Sequence, residues 1–279
     1  MASLSGVGQT ARLVAAVRAV ETESSTPLFI DPYARYLAGE DGFTSFETVT
    51  TRLTTIGASG FVARLAIRTR YFDETLMAAI SQGIKQLVIL AAGFDARAFR
   101  LEFPKDLTLW ELDRQEIFDL KESILREIGA IPTCQRHLVP VDLRDEWPDV
   151  LCQAGFDPTK PTAFLVEGLL VYLEEPHVHT LLGRIGAIAS SGSWLGTDVV
   201  GTELMEHEPM RPQIEWLAEM GSPWIFSTLD PEGLLSAHGW DARCSVPGDP
   251  DAHFGRVTNP VMSRSISGVP RSYYISAIR

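Results

Sequence analysis

Five short apolar runs through the middle of the chain constrain its fold more than any other feature. They cover residues 86–91, 108–111, 137–141, 163–167 and 194–199. Each is nearly continuous, as a strand covered on both faces requires. Between them, residues 115–128, 146–154 and 175–189 carry helical patterning. Strand alternating with helix predicts a doubly wound, mostly parallel sheet. Its crossovers are right-handed, so ligands belong at the carboxyl ends of the strands. Two further strands are expected at 242–246 and 272–278, and the last alternates in polarity as an antiparallel strand does. The sum is an α/β fold with a seven-stranded sheet whose final strand is reversed.

The flanking segments add helices. Residues 10–23 place Leu13, Val14, Val17 and Val20 on one face, and residues 58–80 carry the stripe Phe61, Leu65, Phe72, Leu76 and Ile80, with Gly83 as the stop. One domain of 279 residues follows, with a helical N-terminal extension over 1–83 and a ligand-binding core over 84–200. An irregular cover over 201–228 and a closing part over 229–279, with a short helix at 231–238, complete it.

Composition narrows the partners. A formal charge of −12 opposes nucleic acid as a ligand. No run approaches the roughly 18–20 uncharged apolar residues of a membrane helix, and the start has no signal-peptide pattern. Cys134, Cys152 and Cys244 are widely spaced and odd in number, which fits free thiols in a cytoplasmic protein. No metal-ligand spacing, G-x-S-x-G elbow or G-x-G-x-x-G fingerprint occurs, so no metal, hydrolase or nicotinamide-dinucleotide chemistry is expected.

Acidic residues close the strand runs. Leu90-Ala91-Ala92-Gly93-Phe94-Asp95 follows the first strand with small residues that let backbone approach a ligand. The segment suits a cofactor without a pyrophosphate, adenosylmethionine before NAD, or an ordinary β–α turn. Asp113 follows Gly93 by 20 positions, the place of a ribose-binding acid, although Asp113-Arg114-Gln115-Glu116 also resembles a capping box. Asp142 and the backbone of Leu143 suit an adenine edge, with Asp145 the nearer cap for the next helix. Glu167 ends a buried run and needs a cation, either a cofactor amine or an internal arginine. Tyr172 faces a substrate or is an ordinary half-buried tyrosine. Arg64 and Arg68 share a helix face, while periodicity alone makes Arg64, Arg68 and Arg70 a solvated basic face beside Asp73 and Glu74.

Four ordered motifs carry a resemblance. They are Thr10-Ala11 with Ala15-Ala16-Val17-Arg18-Ala19-Val20-Glu21 and Asp31-Pro32-Tyr33-Ala34; Arg68-Thr69-Arg70-Tyr71-Phe72-Asp73; Gly93-Phe94-Asp95-Ala96-Arg97-Ala98-Phe99-Arg100-Leu101; and Val166-Glu167-Gly168-Leu169-Leu170-Val171-Tyr172-Leu173. Across about residues 10–173 the chain resembles the leucine carboxyl methyltransferase family, in its bacterial branch of S-adenosyl-L-methionine-dependent methyltransferases. The resemblance implies a Rossmann-like class I methyltransferase fold. It implies that Arg68, or alternatively Arg70, meets the cofactor carboxylate. Gly93 becomes the cofactor turn, Asp113 the ribose acid, Asp142-Leu143 the adenine contact and Glu167 the amine-facing acid. The family's G-x-G turn is Ala91-Ala92-Gly93 here, and Asp95 and Arg97 are expected to brace the loop.

The implied reaction is O-methylation of a small molecule or peptide, as in natural-product tailoring. The histidines include no compelling general base, which favours a carboxylate acceptor because it is ionised at neutral pH. A phenol or hydroxyl acceptor, a nucleotide-cofactor oxidoreductase and a non-catalytic cofactor-binding regulator are the alternatives.

Overall fold

A computed structural model describes residues 6–55, 60–257 and 261–279. Three helices come first: α1 (Gly6–Thr22), α2 (Ala34–Thr55) and α3 (Phe61–Ser81). The core then runs β1 (Gln86–Leu90), α4 (Arg97–Arg100), β2 (Thr108–Asp113), α5 (Gln115–Glu127), β3 (Gln135–Pro140), α6 (Pro148–Gln153), β4 (Thr162–Val166), α7 (Glu175–Ile188) and β5 (Trp194–Val200). Next come α8 (Thr202–Met205), α9 (Arg211–Glu219), α10 (Pro231–Ser236), β6 (Asp241–Ser245) and β7 (Ser272–Ile278).

The seven strands lie in the order β3-β2-β1-β4-β5-β7-β6. β7 runs antiparallel to both β5 and β6, and the other pairings are parallel. This is the expected sheet, with its last strand reversed. The order turns back between β1 and β4, which opens a crevice at their carboxyl ends.

Both faces are covered at β1, β2, β4 and β5, which accounts for their continuous apolar runs, whereas β3 at the sheet edge leaves Gln135, His137 and Pro140 exposed. Leu87 and Ile89 of β1 pack with Phe72 and Leu76 of α3 on one face. Val88 and Leu90 pack with Val178 and Leu182 of α7 on the other. Burying a Leu or Phe side chain contributes roughly 1.5–3 kcal/mol.

The structure corrects four local expectations. Helix α2 occupies a segment the pattern left unassigned. Gly39 (φ 57°) breaks its helical dihedrals, and threonines such as Thr50 and Thr54 bond back to carbonyls one turn earlier, so neither propensity nor periodicity marks it. Its approach to α1 needs Gly42, where a Cβ would lie 2.7 Å from the Arg12 carbonyl oxygen. The helix expected over 146–154 begins at Pro148, with Trp147 rather than Asp145 at its N-cap and no side-chain cap bond. Pro148 has its fixed φ ready for the first helical turn. The segment 201–228 is not irregular throughout, since it holds α8 and α9. The capping-box role of Asp113 is not taken, because Arg114 is the N-cap of α5. The start of the helix expected at residue 58 falls partly outside the described residues.

Candidate functional site

A cleft of about 370 Å³ opens at the carboxyl ends of β1, β2, β3 and β4, beneath α1. Its wall includes Arg68, Ala91, Gly93, Asp113, Asp142, Leu143, Glu167 and Tyr172, so eight of the nine sequence-predicted positions converge. Arg70 does not join them. It pairs with Glu74 at 2.6 Å and donates to the Leu28 carbonyl at 2.9 Å near the surface. Arg70 lies two positions after Arg68, which turns them to different sides of α3.

The loop after β1 is tied to β2. The Gly93 N–H donates to Asp113 Oδ2 at 2.7 Å, and the Arg114 N–H donates to Oδ1 at 2.7 Å. Burial raises the Asp113 pKa, although both amides oppose it. Ala91 has φ 50° where glycine would be unstrained. That left-handed backbone costs an L-residue about 1–2 kcal/mol, against the roughly 0.4–1 kcal/mol by which glycine loosens the unfolded chain. Ala91→Gly is therefore expected to stabilise the protein by about 0.5–1 kcal/mol in denaturant titration. A loss of stability would show that the turn is not strained.

Beneath the cleft lies a buried charge network. Glu167 pairs with Arg18 at 3.3 Å, Arg68 at 3.0 Å and Arg97 at 2.8 Å. Burial alone would raise its pKa, but Arg97, Arg68 and Arg18 outweigh burial and hold it well below the ordinary carboxylate range. The internal arginine pairing of Glu167 is observed, and the same carboxylate lines the cleft. Arg68 also pairs with Asp198 at 3.1 Å. Arg97 pairs with Asp73 at 2.7 Å and with Asp95, which also accepts the Arg97 N–H at 2.7 Å. The expected brace is thus one corner of a larger assembly, which Arg100 extends to Asp73 at 2.6 Å and Asp31 at 3.6 Å. Asp142 sits at the outer end of the cleft. Hydrogen bonds from Arg144 lower its pKa to about 2.

A second cavity, of about 540 Å³, adjoins the first. Thr10, Val14, Arg68, Gly168 and Tyr172 line both. Gly168 has φ 68°, its N–H donates to Asp198 Oδ1 at 2.6 Å, and a Cβ there would come within 3.4 Å of the Arg68 guanidinium. Tyr172 stands at the junction beside Thr10, Trp224 and the Arg68–Asp198 pair, and burial raises its pKa. The 201–228 segment covers this second cavity through Leu204, Met210 and Leu217.

The sequence reading missed Arg18 and Asp198. Arg18 lies in the first resemblance motif but off the apolar face of its helix, and its partner Glu167 is 149 residues away. Asp198 lies inside the buried strand β5, where a carboxylate needs a partner as much as Glu167 does at the end of its run.

Comparison with known proteins gives the chain a family and relatives. The family model described as "Leucine carboxyl methyltransferase" matches residues 11–186. A Rhodococcus jostii (strain RHA1) protein is 37% identical over 99% of this chain and 97% of its own length. Its name assigns it provisionally to the S-adenosyl-L-methionine-dependent methyltransferases. A Mycobacterium tuberculosis (strain H37Rv) protein of like name is 41% identical over 74% of this chain and 69% of its own. Among solved structures, a DUF574 family protein of Streptomyces avermitilis superposes with TM-score 0.66 at 13% identity, over 97% of each chain. A Thermobifida fusca protein titled a methyltransferase gives 0.61 at 15% identity, over 88% of this chain and 92% of its own. At those identities the two structures speak for the fold alone. The matched motifs, the strand order and the full-length relatives converge on one assignment: the chain belongs to the leucine carboxyl methyltransferase family.

Proposed function

We propose that this chain transfers the methyl group of S-adenosyl-L-methionine to an oxygen of a small-molecule or peptide acceptor, and that this oxygen belongs to a carboxylate. Family membership and the names of the relatives support the donor. The observation that carries the reading is the wall of Arg68, Gly168 and Tyr172 shared by two cavities. One cavity is bounded by strand-end carboxylates and suits the donor, and the other is open to an acceptor.

The residues of the first cleft fit the donor group by group. Asp113 keeps lone pairs beyond its two backbone donors, and these suit ribose hydroxyls. Asp142 and the Leu143 backbone suit the adenine edge, and Gly93 and Ala91 supply a turn of little bulk. Arg68 spends Nε on Glu167 and Nη1 on Asp198, which leaves Nη2 for the methionyl carboxylate. Arg18, Arg68, Arg97 and Arg100 face five carboxylates, Asp31, Asp73, Asp95, Glu167 and Asp198. The surplus of negative charge favours the ammonium and sulfonium charges of the donor.

S-adenosylmethionine supplies a methyl group already activated by its positively charged sulfur. The protein's part is alignment and exclusion of water. Gly168 and Tyr172 hold the passage between the cavities, and Arg68 fixes its floor through Glu167 and Asp198. A carboxylate acceptor needs no proton removed near neutral pH.

Calorimetry tests the cofactor: binding of S-adenosylmethionine is expected, and binding of NAD alone would overturn the reading. The pH–rate profile tests the acceptor. With a carboxylate the rate is expected to be flat above about pH 6. Asp198 favours one other acceptor, a phenol or hydroxyl. It is a carboxylate on the acceptor side, and burial raises its pKa despite the Arg68 contact. If Asp198 served as base, the rate would be lost as pH falls through that raised pKa.

A further inference from the structure

The second cavity differs in character from the first. Val14, Leu53, Phe61, Leu65 and Val246 give it an apolar wall drawn from α1, α2, α3 and the segment after β6. An apolar body loses contact with water along such a wall, and a polar one gains nothing from it. The arginines of the lining are engaged within the protein. Glu167 and Asp198 hold Arg68. Arg271 donates to the carbonyls of Met262, Ser263, Ile266 and Val269. Arg64 has a partner of its own, and its guanidinium lies beside Gly60 at the start of α3.

Helix α9 brings a different kind of group. Met210 at its N-cap, Gln213 and Leu217 follow one another at spacings of three and four, so they share one face, and all three line the cavity. Gln213 makes that face polar at one point. It is only 5% exposed, and its Oε1 is buried and accepts no hydrogen bond. A buried amide oxygen without a donor costs more than a made bond contributes. A leucine on the same face would pack at no such cost. The missing donor is what a bound molecule can bring. Gln213 lines only the second cavity, away from the wall of Gly168 and Tyr172 that both cavities share, so it meets the body of an acceptor and not the reacting oxygen.

From this arrangement we infer that the second cavity takes an apolar carboxylic acid carrying a hydroxyl group along its body, and that Gln213 reads this hydroxyl. A hydroxyl both donates and accepts, so it satisfies the amide oxygen and takes an N–H from the same side chain. An ether oxygen only accepts. The inference rests on the carboxylate reading above and adds the body of the substrate and a residue that selects it. Gln213 acts on specificity, and the chemistry stays that of the proposed transfer: the carboxylate oxygen gains the methyl and the donor sulfur loses its positive charge.

The test uses the full-length protein, labelled S-adenosylmethionine, dodecanoic acid and its monohydroxy isomers, with the hydroxyl moved stepwise along the chain. A flexible straight chain lets the hydroxyl sample every depth of the cavity. One isomer is expected to have a KM about tenfold below that of dodecanoic acid, because it completes a buried unpaired acceptor. Its methyl ether, which cannot donate, is expected to lose most of that gain. Gln213→Leu is expected to bring the favoured isomer and dodecanoic acid within about twofold of each other. Its affinity for S-adenosylhomocysteine is expected to be unchanged and its melting temperature no lower than that of the wild type. Gln213→Asn keeps the amide on a shorter stem and is expected to retain part of the preference. A glutamine kept for packing alone would behave otherwise: Gln213→Leu would melt lower and leave the ranking of the acids unchanged. Equal KM values for dodecanoic acid and all its hydroxy isomers, or a preference that survives in Gln213→Leu, would overturn the inference and leave the proposed function standing. Failure to methylate any acid of the series would instead overturn the carboxylate reading, and failure to bind S-adenosylhomocysteine would overturn the donor.

Discussion

Arg97→Met is expected to lower the unfolding free energy by about 3–5 kcal/mol and the melting temperature by on the order of 10 °C. The reason is electrostatic. Arg97 is fully buried and faces Asp73, Asp95 and Glu167 together. Methionine fills a similar volume, so the loss is not a cavity effect. It leaves three carboxylates near one another with less positive charge among them, and a buried charge without its partner costs far more than the intact pair contributes. Arg97→Lys restores the charge but not the planar fork, and one ammonium cannot serve three carboxylates in the same geometry. An intermediate stability is expected for it. Differential scanning calorimetry of the three proteins decides the matter. Equal melting temperatures for wild type and Arg97→Met would mean that the network is relaxed by water and carries little energy. Because domains are typically stable by only about 5–15 kcal/mol, the expected loss is a large part of the total.

What could be read from the sequence, and what could not, divides along the range of the interactions involved. β1, β2, β4 and β5 are legible because burial on both faces forces continuous apolar runs. Asp113 and Glu167 are legible because a carboxylate at the end of such a run demands a partner. The partner itself is not legible. Glu167 reaches Arg18 and Arg68 across 149 and 99 residues, and no local pattern encodes which cation meets it. Helix α2 was hidden because its glycines serve the contact with α1 rather than its own helicity. The second cavity was hidden for the same reason as Arg18. Leu13, Val49, Leu65 and Leu217 lie on four different helices, and each reads as ordinary core in its own segment. The motif that held both Arg68 and Arg70 illustrates the limit at the scale of one helix. Two positions apart in sequence, they are separated by their rotation about the axis, and α3 turns only Arg68 toward the cleft.

That separation sets up the second large effect. Asp113→Ala and Arg68→Ala are each expected to weaken binding of S-adenosylmethionine at least about tenfold, since each removes a charge-assisted contact worth roughly 1.5–3 kcal/mol. Arg70→Ala is expected to leave it within about twofold, because Arg70 is occupied with Glu74 and Leu28 away from the cleft. For Asp113 the loss has two parts, since the side chain also ties the Gly93 amide to the end of β2. Asp113→Asn separates them. The amide side chain keeps an oxygen for the Gly93 N–H but gives up the charge, so a loss confined to Asp113→Ala would assign Asp113 to bracing the loop, and a loss in both would assign it to the ribose. Arg68→Ala also frees Glu167 and Asp198 from a buried cation, so affinity is to be compared only in variants whose melting curves remain cooperative. Arg68→Lys serves where alanine fails to fold, keeping the charge while losing the second guanidinium nitrogen. Isothermal calorimetry with the methylated and demethylated cofactors gives each constant directly. If folded Asp113→Ala and Arg68→Lys both bind as the wild type does, the cleft at the ends of β1, β2 and β4 is not where the cofactor lies. The shared wall at Gly168 and Tyr172 would then separate two cavities with no methyl group to pass between them.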